Sequence, residues 1–366
     1  MSFEFNDLKS QYRLLKKDIN LNINKVLNHG QYILGPEVSE LEAKLSKKIK
    51  SKHCITVSSG TDALLIALMS LGIKRGDEII TSAFTYISTI EVIALLGAKP
   101  ILVDINSYDF NINPYLIEKK ISKKTKAILP VSLFGMPVDM GIINNIAKKN
   151  GNIPVIEDGA QSFGAIYKQR YSCNLSLIGC TSFFPSKPLG CYGDGGAVFT
   201  NNSTLAKKIR MLRQHGQGKI KFHHDMVGLC ARMDTIQSAV LLSKLKTFDQ
   251  ETLNRIKVAE IYNNFFDSVG IPYLRDKKNI KCIYSQYPII VEDRKKLIKL
   301  FKENDILFSI YYPKMIHDQL PYKNLIKNRL DQSKVATNKI INLPISGYLK
   351  YRDQKKIMDV IIKFLK

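Results

Sequence analysis

Short apolar runs alternate with segments of helical periodicity over the first two thirds of the chain. The strand-like runs are Glu78–Thr81, Ile101–Asp104, Ala127–Val131, Pro154–Asp158 and Gly179–Phe183. The helical segments are Thr61–Leu71, Ser88–Leu96, Met140–Lys149 and Thr235–Leu245. Because strands that alternate with helices form parallel sheets covered on both faces, this pattern predicts an α/β fold with a mostly parallel sheet flanked by helices.

A new series of elements begins after a long helical segment at Phe248–Val269. It contains the strand-like run Gln286–Val291, the basic helical segment Arg294–Lys299 and a second strand-like run at Leu307–Tyr312. The pattern predicts a large domain of residues 1–248 and a second unit of residues 249–366, which consists of a linker helix and a smaller C-terminal α/β domain.

The composition limits the classes of protein to consider. Of the 366 residues, 45% are hydrophobic, so a sizeable core can be buried. No apolar run approaches the roughly 20 residues that cross a bilayer, and the N-terminus lacks the pattern of a signal peptide. The six cysteines show no CxxC spacing. We therefore expect a cytoplasmic protein with reduced thiols, no metal site and no membrane association.

The net charge of +23 is the one unusual compositional feature. Such a charge is found in nucleic-acid-binding proteins, but here the basic residues are spread along the chain in short helical patches. Solvated helix faces explain this distribution, so we expect no nucleic-acid partner. An anionic small substrate is equally compatible with the charge.

The strongest chemical signal is Lys187, which lies between Pro185 and Pro188 in a loop of apolar, aromatic and glycine residues. Removal from water disfavours the ammonium form of lysine, and the neutral amine is the form that makes an imine with a carbonyl compound. We therefore predict Schiff-base chemistry. We also predict that Lys187 alone can perform it, because it alone sits in a water-excluding loop after a strand.

Three other segments carry groups that suit such chemistry. The sequence Ser58–Leu65 indicates a helix N-terminus that can bind phosphate, although an ordinary capped helix has the same pattern. Asp158 ends a buried strand before Lys187, where it can pair with a protonated ring nitrogen or make a structural hydrogen bond. Tyr86 follows another strand and can stack on a flat ring or pack in the core.

Four segments occur in the order typical of the DegT-type sugar aminotransferases, and the chain resembles that family from Gly35 to Pro344. They are Ser58–Leu65, Ile156–Ala165, Ser182–Ala197 and Arg232–Gln237. The resemblance implies the type I, aspartate aminotransferase-like fold of pyridoxal phosphate enzymes. It also implies pyridoxal 5'-phosphate as the cofactor, with glutamate and a nucleotide-linked keto sugar as substrates.

The loop Phe184–Gly196 resembles the loop of members that act on 3-keto sugars, above all the aminotransferases of UDP-2-acetamido-2-deoxy-3-oxo-glucuronate. Those enzymes serve the synthesis of bacterial surface polysaccharide. Amination of a 4-keto nucleotide sugar is one alternative, and a regulatory protein that binds pyridoxal phosphate is another from a different class.

The resemblance implies a role for each matching residue. Lys187 bonds the cofactor aldehyde and moves the proton, while Asp158 bonds the ring nitrogen. The remaining cofactor contacts are implied for Gly60, Thr61 and Ser182 at the phosphate, Tyr86 on the ring face and Gln161 near the ring hydroxyl.

Substrate contacts are implied for Arg232, Tyr312 and His317, with packing and a surface position as alternatives for the last two. The family forms homodimers with active sites at the interface, and Arg232 belongs to the segment that crosses between subunits. Many relatives carry an asparagine two residues earlier, which reaches the cofactor phosphate of the neighbouring subunit. Here that position is Cys230, so this contact is in doubt.

Overall fold

The computed structural model describes residues 4–323 and 329–366. Nine strands precede the long central helix. They are β1 (His53–Val57), β2 (Glu78–Ser82), β3 (Lys99–Val103), β4 (Thr125–Leu129), β5 (Ile156–Asp158), β6 (Ile166–Tyr167), β7 (Arg170–Tyr171), β8 (Ile178–Ser182) and β9 (Gly196–Thr200). The helices of this part are α1 (Leu8–His29), α2 (Pro36–Ile49), α3 (Gly60–Ser70), α4 (Ser88–Leu95), α5 (Met140–Lys149), α6 (Ser203–Leu212) and α7 (Thr235–Leu245).

Seven of these strands form one central layer in the order β3-β2-β4-β5-β8-β9-β1. Strand β2 pairs in parallel with β3 and β4, and β5 pairs in parallel with β8. Parallel bridges join β4 to β5 through Ile128 with Val155 and through Val131 with Asp158. Strand β9 runs antiparallel to both β8 and β1. The prediction of a mostly parallel sheet is confirmed.

The sheet is buried on both faces because successive residues of a strand point in opposite directions. Ile79 of β2 belongs to a core cluster with residues of α3 and α6, such as Ile66 and Ile209. The next residue, Ile80, belongs to a separate cluster with residues of α5, including Ile143. The helices therefore cover both faces of the sheet. The edge at the carboxyl ends of the parallel strands is where a ligand-binding site is expected.

The C-terminal part begins with the long helix that the sequence predicts. Its elements are α8 (Phe248–Val269), β10 (Ile280–Lys281), β11 (Tyr287–Ile290), α9 (Arg294–Glu303), α10 (Asp331–Lys339), β12 (Ile340–Leu343) and α11 (Tyr351–Leu365). Strands β11 and β12 form an antiparallel pair. The core cluster of the C-terminal part also contains Phe84, Phe110 and Phe134 of the first part. The domain boundary after residue 248 therefore stays a prediction.

One predicted strand is wrong. The run Leu307–Tyr312 makes a single bridge, between Ser309 and Asn342, and the partner of β11 is instead β12. Phe308 and Ile310 pack against the C-terminal core without a continuous backbone ladder, so burial rather than strand pairing explains the apolar run. Within the described residues, no helix is both long and apolar enough to cross a membrane.

Candidate active site

A cavity of about 470 Å³ opens at the carboxyl edge of the central sheet. Loops that follow β1, β2, β5 and β8 line it, together with two tyrosines of the C-terminal part. Parallel α/β sheets bind their ligands at this edge. Eight predicted site residues lie in its lining, namely Gly60, Thr61, Tyr86, Asp158, Gln161, Ser182, Lys187 and Tyr312.

Asp158 is the last residue of β5 and is 4% exposed. One carboxylate oxygen accepts a hydrogen bond of 3.0 Å from the Thr89 hydroxyl, and the other accepts one of 3.1 Å from the Ala160 N–H. Burial raises the pKa of Asp158, while these two donors and the positive charge of Lys187 oppose that rise. The two hydrogen bonds fix the orientation of the carboxyl group. A cation beside it would lower its pKa.

Lys187 lies in the loop after β8, and its backbone is held in place by local hydrogen bonds. Its N–H donates to the carbonyl of Phe184 at 2.8 Å, and the N–H of Cys191 donates to the carbonyl of Phe183 at 2.7 Å. Burial lowers the pKa of the Lys187 amine, and the Asp158 carboxylate opposes this shift. A partly desolvated amine therefore faces the same cavity as the carboxyl group.

The start of α3 forms a second wall with the character of an anion site. Ser59 caps the helix by accepting a 3.0 Å hydrogen bond from the Asp62 N–H. A Cβ atom at Gly60 would lie 2.6 Å from the Cβ of Ser182, so the close approach of the start of α3 to the end of β8 requires glycine. The first N–H groups of a helix have no acceptor within it, and Thr61 and Ser182 line the cavity beside this helix start.

Gln161 and two tyrosines form a third wall. The side-chain oxygen of Gln161 accepts a 2.8 Å hydrogen bond from the Phe134 N–H, and its amide nitrogen donates to the Tyr312 hydroxyl at 3.0 Å. The Tyr312 ring centroid is 6.1 Å from that of Tyr86. Tyr86 is 55% exposed, which contradicts core packing and leaves its ring available to a flat ligand.

Arg232 and His317 do not line the cavity of their own chain. Arg232 precedes α7, and its guanidinium contacts the Cys230 sulfur at 3.0 Å. The Arg232 Nε is buried and has no hydrogen-bond partner among residues 4–323 and 329–366. His317 belongs to the short helical turn Ile316–Asp318. The structure of one chain therefore separates these two residues from the other predicted site residues.

Several residues that shape the site were not predicted. Thr89 is the second residue of α4, three residues after Tyr86, and only the fold brings its hydroxyl to Asp158. Asp194, which lies within the motif Ser182–Ala197, and Gln286, at the start of the run Gln286–Val291, also line the cavity, although no role was predicted for either. Lys244 was not predicted either; it lies in helix α7 and is 1% exposed.

Three comparisons bear on this geometry. The sequence pattern of the DegT/DnrJ/EryC1/StrS aminotransferase family matches residues 13–362. The chain is 48% identical to the UDP-2-acetamido-2-deoxy-3-oxo-D-glucuronate aminotransferase of Pseudomonas aeruginosa, over 94% of this chain and 96% of the relative.

Two solved structures of this kind share the fold. A DegT DnrJ EryC1 StrS aminotransferase from Brucella abortus superposes with a TM-score of 0.96 at 37% identity, covering 99% of both chains. NtdA from Bacillus subtilis, solved with bound cofactor PMP, superposes with a TM-score of 0.90 at 30% identity, covering 95% of this chain and 81% of NtdA. The chain therefore belongs to the DegT/DnrJ/EryC1/StrS family of aminotransferases, whose cofactor is pyridoxal 5'-phosphate.

Proposed function

We propose that the protein transfers the amino group of glutamate to C3 of UDP-2-acetamido-2-deoxy-3-oxo-glucuronate. The observation that carries this proposal is the nearly full-length, 48% identity to the Pseudomonas aeruginosa enzyme of that name. The cavity supports it, because Lys187 and Asp158 lie there beside an anion-binding helix end. A place in the cytoplasmic synthesis of bacterial surface polysaccharide belongs to the same proposal.

The donor set of the cavity fits pyridoxal phosphate. The Lys187 amine would bond its aldehyde and the Asp158 carboxylate its ring nitrogen, since both residues line the same space. The helix end at Gly60 and Thr61, together with Ser182, would hold the phosphate, and the absence of a Cβ at Gly60 lets the start of α3 approach Ser182. When bound, the cofactor supplies an electron sink for the carbon that loses its proton.

Two further side chains complete the cofactor site in this proposal. The exposed ring of Tyr86 would stack on the cofactor ring. Gln161, held between the Phe134 N–H and Tyr312, would lie near the ring hydroxyl.

The two ionisable residues divide the acid–base work. Lys187 Nζ, once neutral, takes the proton from the α-carbon of glutamate and returns it at the carbon that is protonated next. Burial lowers the pKa of this amine, which favours its action as a base near neutral pH. The Asp158 carboxyl, whose pKa burial raises, becomes ionised when a protonated ring nitrogen pairs with it.

The substrate is anionic, and the proposed contacts to it come from Arg232, Tyr312 and His317. Tyr312 lies in the cavity of its own chain, whereas Arg232 does not. We therefore propose a homodimer in which Arg232 of one protomer reaches the cavity of its partner. Its buried Nε lacks an acceptor among the described residues, which leaves the guanidinium able to bind an anionic group.

Exposed apolar side chains support the dimer. Ile220, Phe222 and Val227 are 61%, 77% and 87% exposed on the loop that leads to Cys230 and Arg232. Large apolar side chains exposed on one loop are candidates for burial at an interface, and a second copy of the chain would bury them next to the segment that has to cross.

A substrate screen tests the function. The purified holoenzyme is incubated with glutamate and with UDP- and dTDP-linked 3-keto and 4-keto sugars, and the amino sugar and 2-oxoglutarate are quantified. We expect the UDP-linked 3-keto uronate to give the highest kcat/KM. Preference for a 4-keto sugar would contradict C3 amination. Failure of glutamate to change the absorption of the bound cofactor would favour a regulatory protein instead.

A further inference from the structure

Lys244, in the last turn of α7, is 1% exposed although it carries an ionisable amine. Its Nζ donates a hydrogen bond of 2.5 Å to the carbonyl oxygen of Gly190 and lies 4.5 Å from the ring centroid of Tyr192. Within the described parts of the chain no carboxylate lies within ion-pair distance of it. Burying an amine is costly, so these two contacts are the interactions that hold it there.

Gly190 closes the loop that carries Lys187. A Cβ atom at Gly190 would lie 2.3 Å from the carbonyl oxygen of Pro185 and 2.7 Å from that of Phe184. The returning arm of the loop therefore touches the outgoing arm at this glycine, just three residues after Lys187. A donor on the Gly190 carbonyl fixes the closure of the loop against α7.

The groups around Lys244 come from three elements. Glu251 of α8 and Cys191 of the loop favour its charged form, but burial is the larger effect and lowers the pKa of Lys244 to about 8. Tyr192 lies under the amine, and burial raises the pKa of its hydroxyl to about 12. Tyr12 of α1 packs against Tyr192, with 6.1 Å between ring centroids.

We propose that Lys244 is a positioning residue for Lys187, since its ammonium group holds the Gly190 carbonyl and thereby the loop that presents the Lys187 amine to the cavity. The proposal rests on the role of Lys187 given above and not on the identity of the sugar. Lys244 does not reach the cavity itself.

The test compares Lys244→Met, which keeps the length of the side chain and removes the donor, with Lys246→Met. Lys246 lies two residues further along, is exposed and pairs with Asp18, so it is the matched control. Each holoenzyme is titrated from about pH 6 to 10 while the absorption of the bound cofactor is recorded. Single-turnover reaction with glutamate is followed on the same samples.

We expect Lys244→Met to slow the single turnover roughly tenfold, with little change in the affinity for glutamate. We also expect it to move the midpoint of the absorption titration, because the environment of the Lys187 nitrogen changes. Lys246→Met leaves both unchanged. A lower melting temperature with unchanged rate and midpoint would show a purely structural role and overturn the proposal.

A third variant covers the possibility that Lys244→Met fails to fold. Lys244→Arg keeps a charged donor for the Gly190 carbonyl, so we expect its single-turnover rate and its midpoint to stay close to those of the wild type. A slowed single turnover in a folded Lys244→Arg enzyme would overturn the proposal.

Borohydride reduction and peptide mapping of the wild type separate this inference from the role of Lys187. Attachment of the cofactor to another lysine overturns both. Attachment at Lys187, with Lys244→Met indistinguishable from wild type, overturns only the role of Lys244.

Discussion

At the scale of single residues, burial shifts the two ionisable groups of the cavity in opposite directions. It lowers the pKa of Lys187 and raises that of Asp158, and each group partly offsets the shift of the other. Burial thus works against the charged form of each group. A bound cofactor with a protonated ring nitrogen would restore the charge of Asp158 and leave Lys187 as the base.

Lys187→Ala is expected to abolish transamination, because no other amine in the described lining can replace its Nζ. Reduction with borohydride should then no longer attach the cofactor to the protein, which mass spectrometry detects. Lys246→Ala, a change at an exposed lysine, should leave both properties intact. Wild-type turnover by Lys187→Ala would show that the assignment is wrong.

Asp158→Asn is expected to lower kcat roughly 100-fold or more, which corresponds to the loss of a charge-assisted interaction of about 3 kcal/mol. Cofactor affinity should fall much less, since the amide keeps the shape of the carboxyl group. Steady-state kinetics and cofactor titration measure the two effects. Turnover within a few-fold of wild type would refute the role.

Glu157→Gln is the matched control for Asp158→Asn, because Glu157 is the preceding residue of the same strand. Glu157 does not line the cavity and accepts hydrogen bonds from the hydroxyls of Ser132 and Ser172 and from the Cys173 N–H. Its replacement should lower the melting temperature but leave kcat close to the wild-type value.

At the scale of elements, the sequence predicts those strands that are short apolar runs, as in β2 to β5 and β8. Strand β9 is not predicted, because it begins inside the glycine-rich loop. Its antiparallel direction depends on its neighbours β8 and β1. In the C-terminal part, β12 follows α10 without an intervening turn residue. The sequence of the aromatic run Leu307–Tyr312 is therefore more strand-like than that of β12. Tertiary packing nevertheless makes β12 the partner of β11.

The same distinction applies to the site. Residues within motifs, such as Lys187, Asp158 and Gly60, could be predicted from their neighbours in the sequence. Thr89 and Lys244 could not, because a hydroxyl or a lysine inside a helix carries no signal until the fold places it against Asp158 or Gly190.

Gly60→Ala tests the contact between the start of α3 and the end of β8. The new Cβ would clash with the Cβ of Ser182, so we expect the helix end to shift and cofactor affinity to fall at least roughly tenfold. In a Ser182→Gly background, where that Cβ is absent, the same change should cost much less affinity. Titration with pyridoxal phosphate measures this coupling, and equal losses in both backgrounds would contradict it.

At the scale of the whole molecule, the charge of +23 is compatible with attraction of a substrate that carries a diphosphate and a carboxylate. Charge alone does not select that ligand. In the proposed function the cavity provides the selection, since the Lys187 amine, the start of α3 and tyrosine side chains line the same space. The proposed dimer would add the guanidinium of the partner's Arg232 to this set.

Arg232→Ala is expected to raise the KM for the nucleotide sugar more than it lowers kcat, because an Arg–anion contact is lost in the ground state and the transition state alike. Arg352→Ala, at an exposed position of α11, is the control and should change neither constant.

Phe222→Asp places a charge on the exposed apolar loop and should convert a dimer into monomers in sedimentation velocity, with loss of activity. A fully active monomer would contradict the shared site. An unchanged KM in Arg232→Ala would contradict only the role of Arg232 and leave the dimer standing.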